Sequence, residues 1–237
     1  MTDRKQSNRS LVPPLEMKNI QAFIFDMDGL LLDTERVYQR SWSEAARRLG
    51  FDLSDEIYLM LIGITVADSE KRLVEVFGSR FPIGEFRKDA KSRYETIVET
   101  EGIPLKPGVR EMLEWARHKN IPCAVATSTL SAEAQDRLAK HGILKEFRQL
   151  IGGEMVSRGK PHPDIFLSAA KALGIDPPYC LVFEDAHSGV RAAKAANMHV
   201  LLIPDMLPST PEMEQLATHV CESLVDARNW LAEEHFQ

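Results

Sequence analysis

Phe23-Ile24-Phe25-Asp26-Met27-Asp28-Gly29 is an apolar run of strand length that ends in two carboxylates two positions apart and then a glycine. A strand cannot bury two carboxylates at its end without partners, because an unpaired buried charge costs several kcal/mol. The run therefore predicts a strand whose end opens on the carboxyl edge of a parallel sheet, where open α/β folds place their ligands. In extended backbone, residues two apart point the same way, so Asp26 and Asp28 can share one small site. Gly29 permits a tight departure from the strand. Taken alone, Asp-x-Asp-Gly is also compatible with a plain Asp-rich turn, so the rest of the chain has to decide.

The 237 residues suit one large domain, or a core carrying a small insertion. With 44% apolar and 27% charged residues the composition is that of an ordinary globular protein. The net charge of −6 argues against a nucleic-acid surface. Cys123, Cys180 and Cys221 show no paired spacing, and the first two lie in apolar runs, as buried thiols of a reducing compartment do. No stretch approaches the roughly 18 apolar residues of a membrane span, and the polar start of the chain lacks the apolar core of a signal peptide. Residues 1–16 read as a loose arm and the protein as cytoplasmic, with no membrane or nucleic-acid partner.

After the first strand, helical spacing begins at Asp33-Thr34 and continues through Val37, Trp42, Ala45, Ala46 and Leu49 to Gly50. Further helical stretches follow at Ser54–Leu61, Thr65–Phe77 and Ile83–Thr100, with no strand-like run between them. The block reads as an inserted helical cap, residues 34–103, flanked by core segments 17–33 and 104–237. From Pro107 helix and strand alternate: short apolar strands at Pro122–Ala126, Gln149–Ile151, Cys180–Phe183 and finally His199–Ile203, with helices between them. Repeated βα alternation implies an α/β fold, a Rossmann-like parallel sheet with helices on both faces.

Three of these strands end in polar residues: Asp26 and Asp28, then Thr127-Ser128-Thr129, then Glu184-Asp185. Lys160 stands just before a helix between the last two. Parallel strands bring their carboxyl ends to one edge, so these groups are expected to converge. The chemistry that fits is phosphoryl transfer with Mg²⁺, a hard ion suited to the carboxylates of Asp26 and Asp185. A carboxylate attacking a phosphate dianion at about 3.5 Å, with an effective dielectric near 20, meets roughly 9 kcal/mol of repulsion. A divalent ion and Lys160 would offset it. The Thr127 hydroxyl and the backbone N–H of Ser128 are expected to bind the phosphate. Of the two aspartates, one can be the nucleophile while the other handles protons.

In this set of motifs the chain resembles the haloacid dehalogenase superfamily, and within it the β-phosphoglucomutase-like phosphatases with a helical cap. Four motifs appear in order: Asp26-Met27-Asp28-Gly29, Thr127, Lys160 and Glu184-Asp185. The resemblance implies that Asp26 becomes an aspartyl-phosphate and that Asp28 is the general acid/base. It also implies Mg²⁺ held by Asp26, the Asp28 backbone carbonyl and Asp185, with Glu184 in support. Dehalogenases of the superfamily lack the second aspartate, so Asp28 favours phosphate chemistry. Counted without gaps, Tyr38 stands where β-phosphoglucomutases carry a histidine, and Val66 where they carry the arginine that grips a distal phosphate. Valine cannot hold an anion. Both departures favour a phosphatase over the alternative, a phosphosugar mutase. Residues 25–38 also look like those of pseudouridine-5′-phosphatases and bacterial sugar-phosphate phosphatases. Specificity is expected from Thr34, Tyr38, Ile64 and Thr65 of the cap. The expected substrate is a small phosphorylated sugar, polyol or nucleoside, and the protein is expected to act as a monomer. His162 and His187 are expected near the site, shaping loops rather than binding metal.

Overall fold

The structure, a computed structural model, describes residues 19–62 and 66–234, with side chains unassigned at positions 66, 67 and 234. The expected arm at residues 1–16 and the specificity residues Ile64 and Thr65 lie outside the described residues, as does the Val66 side chain. Among the described residues no helix is long and apolar enough to cross a membrane.

The first strand is β1 (Ala22–Phe25). Four helices follow, α1 (Thr34–Arg48), α2 (Asp55–Leu59), α3 (Val66–Phe77) and α4 (Ile83–Thr100). The alternating part comprises α5 (Val109–His118), β2 (Cys123–Ala126), α6 (Ser131–Lys140), β3 (Gln149–Ile151), α7 (Asp164–Leu173), β4 (Cys180–Glu184), α8 (His187–Ala195) and β5 (His199–Leu202). It closes with α9 (Pro211–Leu216), β6 (His219–Val220) and α10 (Leu224–Glu234). The six strands form one parallel sheet in the order β3-β2-β1-β4-β5-β6.

Side-chain alternation along β1 explains the layering. Phe23 and Phe25 enter one buried cluster with Phe183, Met112, Leu138 and Leu231, while Ala22 and Ile24 enter the other with Phe166, Val182 and Val200. Phe25 stacks on Phe183 across the β1–β4 pair, ring centroids 4.4 Å apart. Burying such a side chain stabilises the fold by about 1.5–3 kcal/mol. The sheet is thus covered on both faces, as the apolar strands require.

The sequence reading ended the sheet at β5, and the structure adds α9, β6 and α10. A two-residue edge strand containing a histidine carries no periodic signal. It forms because Thr218 and Cys221 donate backbone hydrogen bonds to Val200 and Leu202. The buried stripe Leu224, Ala227 and Leu231 then seats α10 on the core.

Helices α1 to α4 carry a third buried cluster of their own, including Ala45, Tyr58, Leu73, Phe81 and Phe86. Two chain segments join this block to the sheet, and they pair. Asp33 N–H donates to Pro104 O at 2.8 Å and Lys106 N–H to Leu31 O at 3.0 Å, around an antiparallel bridge between Leu32 and Leu105. Beside that pairing, Asp205 binds both Arg36 of α1 and Lys106.

Candidate active site

Strand β1 is central, with β2 on one side and β4 on the other. The chain reverses its direction of winding there, which leaves a crevice at the strand ends. The residues following β1, β2 and β4 face this crevice, and with Lys160 they line a cavity of about 380 Å³. Its walls include Asp26, Asp28, Thr127, Ser128, Lys160, Glu184 and Asp185.

Two acidic groups and the lysine form a nearly dry cluster. The Lys160 ammonium donates to Asp26 and to Glu184, and it lies 5.0 Å from the centre of the Phe166 ring. Glu184 is fully buried and accepts from the Ala186 backbone N–H at 3.0 Å. Oxygens of Asp26, Glu184 and Asp185 all lie within 4.8 Å of one another. Burial pushes Asp26 from 3.8 to about 8, against the attraction of Lys160, and neighbouring Glu184 and Asp28 add to the rise. Asp185 is raised for the same leading reason, burial, reinforced by Glu184 and Asp26. Burial alone would lower Lys160, but Asp26 and Glu184 outweigh it and raise it. Three carboxyl groups facing one ammonium would, if all ionised, leave two uncompensated negative charges in a desolvated place. An all-oxygen cluster with that deficit fits a hard divalent cation.

Two glycines make room for the cluster. Gly29 has φ +85°, and a Cβ there would lie 2.2 Å from Asp185 Oδ2. A Cβ on Gly189, in the first turn of α8, would lie 1.8 Å from Glu184 Oε1. Only glycine at both positions lets the two carboxylates approach the strand ends.

Asp28 is held apart from this cluster. Its Oδ2 accepts from the hydroxyls of Thr129 at 2.7 Å and Thr127 at 3.2 Å, and its Oδ1 accepts from the Arg137 guanidinium at 2.9 Å. The two aspartates therefore occupy different surroundings, one beside an ammonium and two carboxylates, the other among hydroxyls and a guanidinium. Ser128 lies in the loop ahead of α6, which begins at Ser131, rather than at the helix start itself.

The helical block between β1 and α5 contributes Glu35 and Ile62 to the cavity. Thr34, expected there, is fully buried, and its hydroxyl is unpartnered. Tyr38 lines a second cavity of about 340 Å³, walled by α1, α3 and α4 with Glu133 of α6, and stacks on Tyr94 at 4.2 Å. Helix α1 thus turns Glu35 into the strand-end cavity and Tyr38 away from it. Glu35 is raised by burial, partly opposed by the Tyr58 hydroxyl, which donates to it at 3.3 Å. In sequence, an acid in the first turn of a helix reads as an ordinary dipole complement, so Glu35 gave no separate signal. Arg137 did give one: it occupies the apolar stripe Ala134, Arg137, Leu138, where an arginine needs a partner.

His187 lines the cavity, whereas His162 is exposed and is not among the lining residues. The free cysteines Cys123, Cys180 and Cys221 are all buried away from the site.

Comparison with known proteins agrees with this arrangement. The profile of the haloacid dehalogenase-like hydrolases matches residues 23–203. The phosphorylated carbohydrates phosphatase of Thermotoga maritima is 34% identical over 179 residues, 76% of this chain and 82% of that protein. Hexitol phosphatase A of Escherichia coli is 33% identical over 210 residues, covering 86% and 93%. A haloacid dehalogenase family hydrolase from Deinococcus radiodurans R1, solved with bound phosphate and sodium, superposes with a TM-score of 0.81 at 26% identity, covering 92% of this chain and 97% of that one. This chain belongs to the haloacid dehalogenase-like hydrolase family and is an enzyme of its phosphatase type.

Proposed function

We propose that this enzyme is a Mg²⁺-dependent phosphatase that hydrolyses a small, singly phosphorylated sugar, polyol or nucleoside through an aspartyl-phosphate on Asp26. The observation that carries the reading is the separation of the two aspartates. Asp26 sits in the buried cluster with Lys160, Glu184 and Asp185, and Asp28 stands clear of it on the same cavity wall. Residues 34–103 act as the cap over a core formed by 17–33 and 104–237.

In the first half-reaction an Asp26 carboxylate oxygen bonds to phosphorus while the bond from phosphorus to the leaving oxygen breaks. That oxygen takes the electron pair and a proton from Asp28. In the second half, Asp28 takes a proton from water, the water oxygen bonds to phosphorus, and the bond to Asp26 breaks to release inorganic phosphate. Lys160 balances charge on Asp26 and on the incoming phosphate. Thr127 and Ser128 contact the phosphoryl oxygens. Asp26, the Asp28 backbone carbonyl and Asp185, with Glu184 in support, would hold Mg²⁺, which when bound would neutralise charge as one anion attacks another.

The cavity argues for the substrate class. Its volume of about 380 Å³ suits a leaving group of sugar size, and Glu35 offers a carboxylate to hydroxyl donors. Ile62, Met206 and Leu207 supply apolar walls. Arg191 also lines the cavity, but Glu212 takes its guanidinium in a two-pronged pair at 2.7 and 2.8 Å. A second phosphate would therefore meet Glu35 and an occupied arginine. Thr34, Tyr38, Ile64 and Thr65 remain the other candidates for specificity within the cap. The test is phosphate release from a panel of sugar, polyol and nucleoside monophosphates with Mg²⁺, using Asp26→Asn as blank. Release without an isomerised phosphosugar is expected, and an isomer without release would replace the phosphatase by a mutase.

A further inference from the structure

Arg137 does more than fill a place on α6. Its side chain is only 8% exposed, and its guanidinium bridges three elements. One nitrogen donates to Asp28 Oδ1 at 2.9 Å. The other donates to the Tyr94 hydroxyl at 3.0 Å and to Glu133 at 2.5 Å. Tyr94 belongs to α4 of the cap, and its ring lies flat on Tyr38 of α1, 11° from parallel. Arg137 belongs to the core. The carboxyl of Asp28 is thus gripped at Oδ2 by two core hydroxyls and at Oδ1 by a core arginine that is itself tied to the cap.

We propose that Arg137 is a positioning residue for Asp28, and that the Tyr94 hydroxyl makes this positioning depend on a seated cap. The proposal rests on the reading of Asp28 as general acid. The physical argument concerns orientation. A carboxyl that protonates a leaving oxygen must present one oxygen along a narrow range of directions. Asp28 is 27% exposed, so water alone would let it turn. The hydroxyls of Thr127 and Thr129 fix only Oδ2. Arg137 fixes Oδ1, and its planar fork holds Asp28 and Tyr94 on separate nitrogens at fixed angles, a geometry that the freely rotating ammonium of a lysine does not impose. When the cap is unseated, Tyr94 leaves and Arg137 keeps only core partners, so Asp28 is fully aimed only when substrate is covered. Glu133 is 51% exposed and orients the guanidinium from the solvent side.

The test compares leaving groups. From p-nitrophenyl phosphate the p-nitrophenolate leaves without a proton, whereas the sugar oxygen of a sugar phosphate needs one to leave. The second-order rate kcat/KM covers the steps up to departure of the leaving group, so it isolates the acid step. Asp28→Asn, Arg137→Gln, Tyr94→Phe and, as a packing control, Leu138→Ala would each be assayed with p-nitrophenyl phosphate and with the sugar phosphate the wild type turns over fastest. Denaturation midpoints would be measured alongside. For Arg137→Gln the expected loss is on the order of 100-fold with the sugar phosphate and less than about tenfold with p-nitrophenyl phosphate. Tyr94→Phe should show the same selectivity at roughly a tenth of the size, and Arg137→Lys should recover part of the loss. Leu138→Ala should lower both substrates alike. Equal losses on both substrates in Arg137→Gln and Tyr94→Phe, with Asp28→Asn still selective, would overturn the positioning role and leave the acid assignment standing. An unselective Asp28→Asn would overturn the acid assignment, and the positioning role with it.

Discussion

Replacing Asp26 should stabilise the metal-free protein. Burial raises Asp26 from 3.8 to about 8 in the folded state, while the unfolded chain keeps the ordinary value. The folded state therefore binds a proton that the unfolded state has already lost. For a raised carboxyl the sign is fixed: its contribution is neutral below pH 3.8 and becomes progressively destabilising up to about pH 8. Each pH step costs about 1.4 kcal/mol, so the accumulated cost at pH 7 is about 4 kcal/mol. Asp26→Asn keeps the shape of the protonated acid and removes this cost. Lys160 keeps the ionised Glu184 and loses only the partial attraction of the Asp26 carboxyl, which gives some of the gain back. The expected net stabilisation is about 2–4 kcal/mol at pH 7, on the order of 10 °C in Tm for a chain of this size. It should shrink toward zero near pH 4. Urea unfolding of both proteins in EDTA, at pH 4.5, 6 and 7.5, measures it directly. With Mg²⁺ at a thousandfold excess over Kd the difference should vanish or reverse, because binding to the wild type adds about 4.1 kcal/mol. A variant no more stable than wild type at pH 7.5 in EDTA would refute the argument that the cluster carries uncompensated charge.

Other outcomes follow from the same geometry. Gly189→Ala places a methyl against Glu184 and should cost about 1–3 kcal/mol, read as a lower denaturation midpoint, with reduced turnover as Glu184 shifts off Lys160. EDTA should abolish phosphate release and Mg²⁺ should restore it; undiminished release in EDTA would remove the metal from the reaction. Glu35→Ala should raise KM for sugar phosphates about tenfold or more while inhibition by inorganic phosphate changes little, on the proposal that Glu35, a wall of the cavity, meets the leaving group rather than the phosphoryl group. A parallel rise in the inhibition constant for phosphate would place Glu35 elsewhere.

The sequence by itself determined the sheet and the polar edge where its strands end. Apolar strands ending in Asp26, Thr127 and Glu184-Asp185 carry their meaning locally, because a short buried strand must be apolar and a carboxylate at its end must face a partner. Lys160 was legible for the complementary reason, as the cation such a cluster requires. Even Asn197, at a helix end, took the left-handed backbone its position suggested, with φ 59°. The sheet's last strand was not legible, because His219–Val220 forms only when the edge of β5 is there to pair with it. Tertiary structure alone decided which residues of α1 face the reaction. Thr34, Glu35 and Tyr38 lie on one short helical stretch, and only the seating of the cap turns Glu35 into the cavity and Tyr38 onto Tyr94. It also decided the partners of Asp28. Arg137 is 109 residues away in the chain, and its place in an apolar stripe announced that it needed a partner without saying which one. Strand ends are fixed by backbone periodicity and the cost of burying charge, which are local, whereas the walls of a cleft depend on how two independently packed units meet.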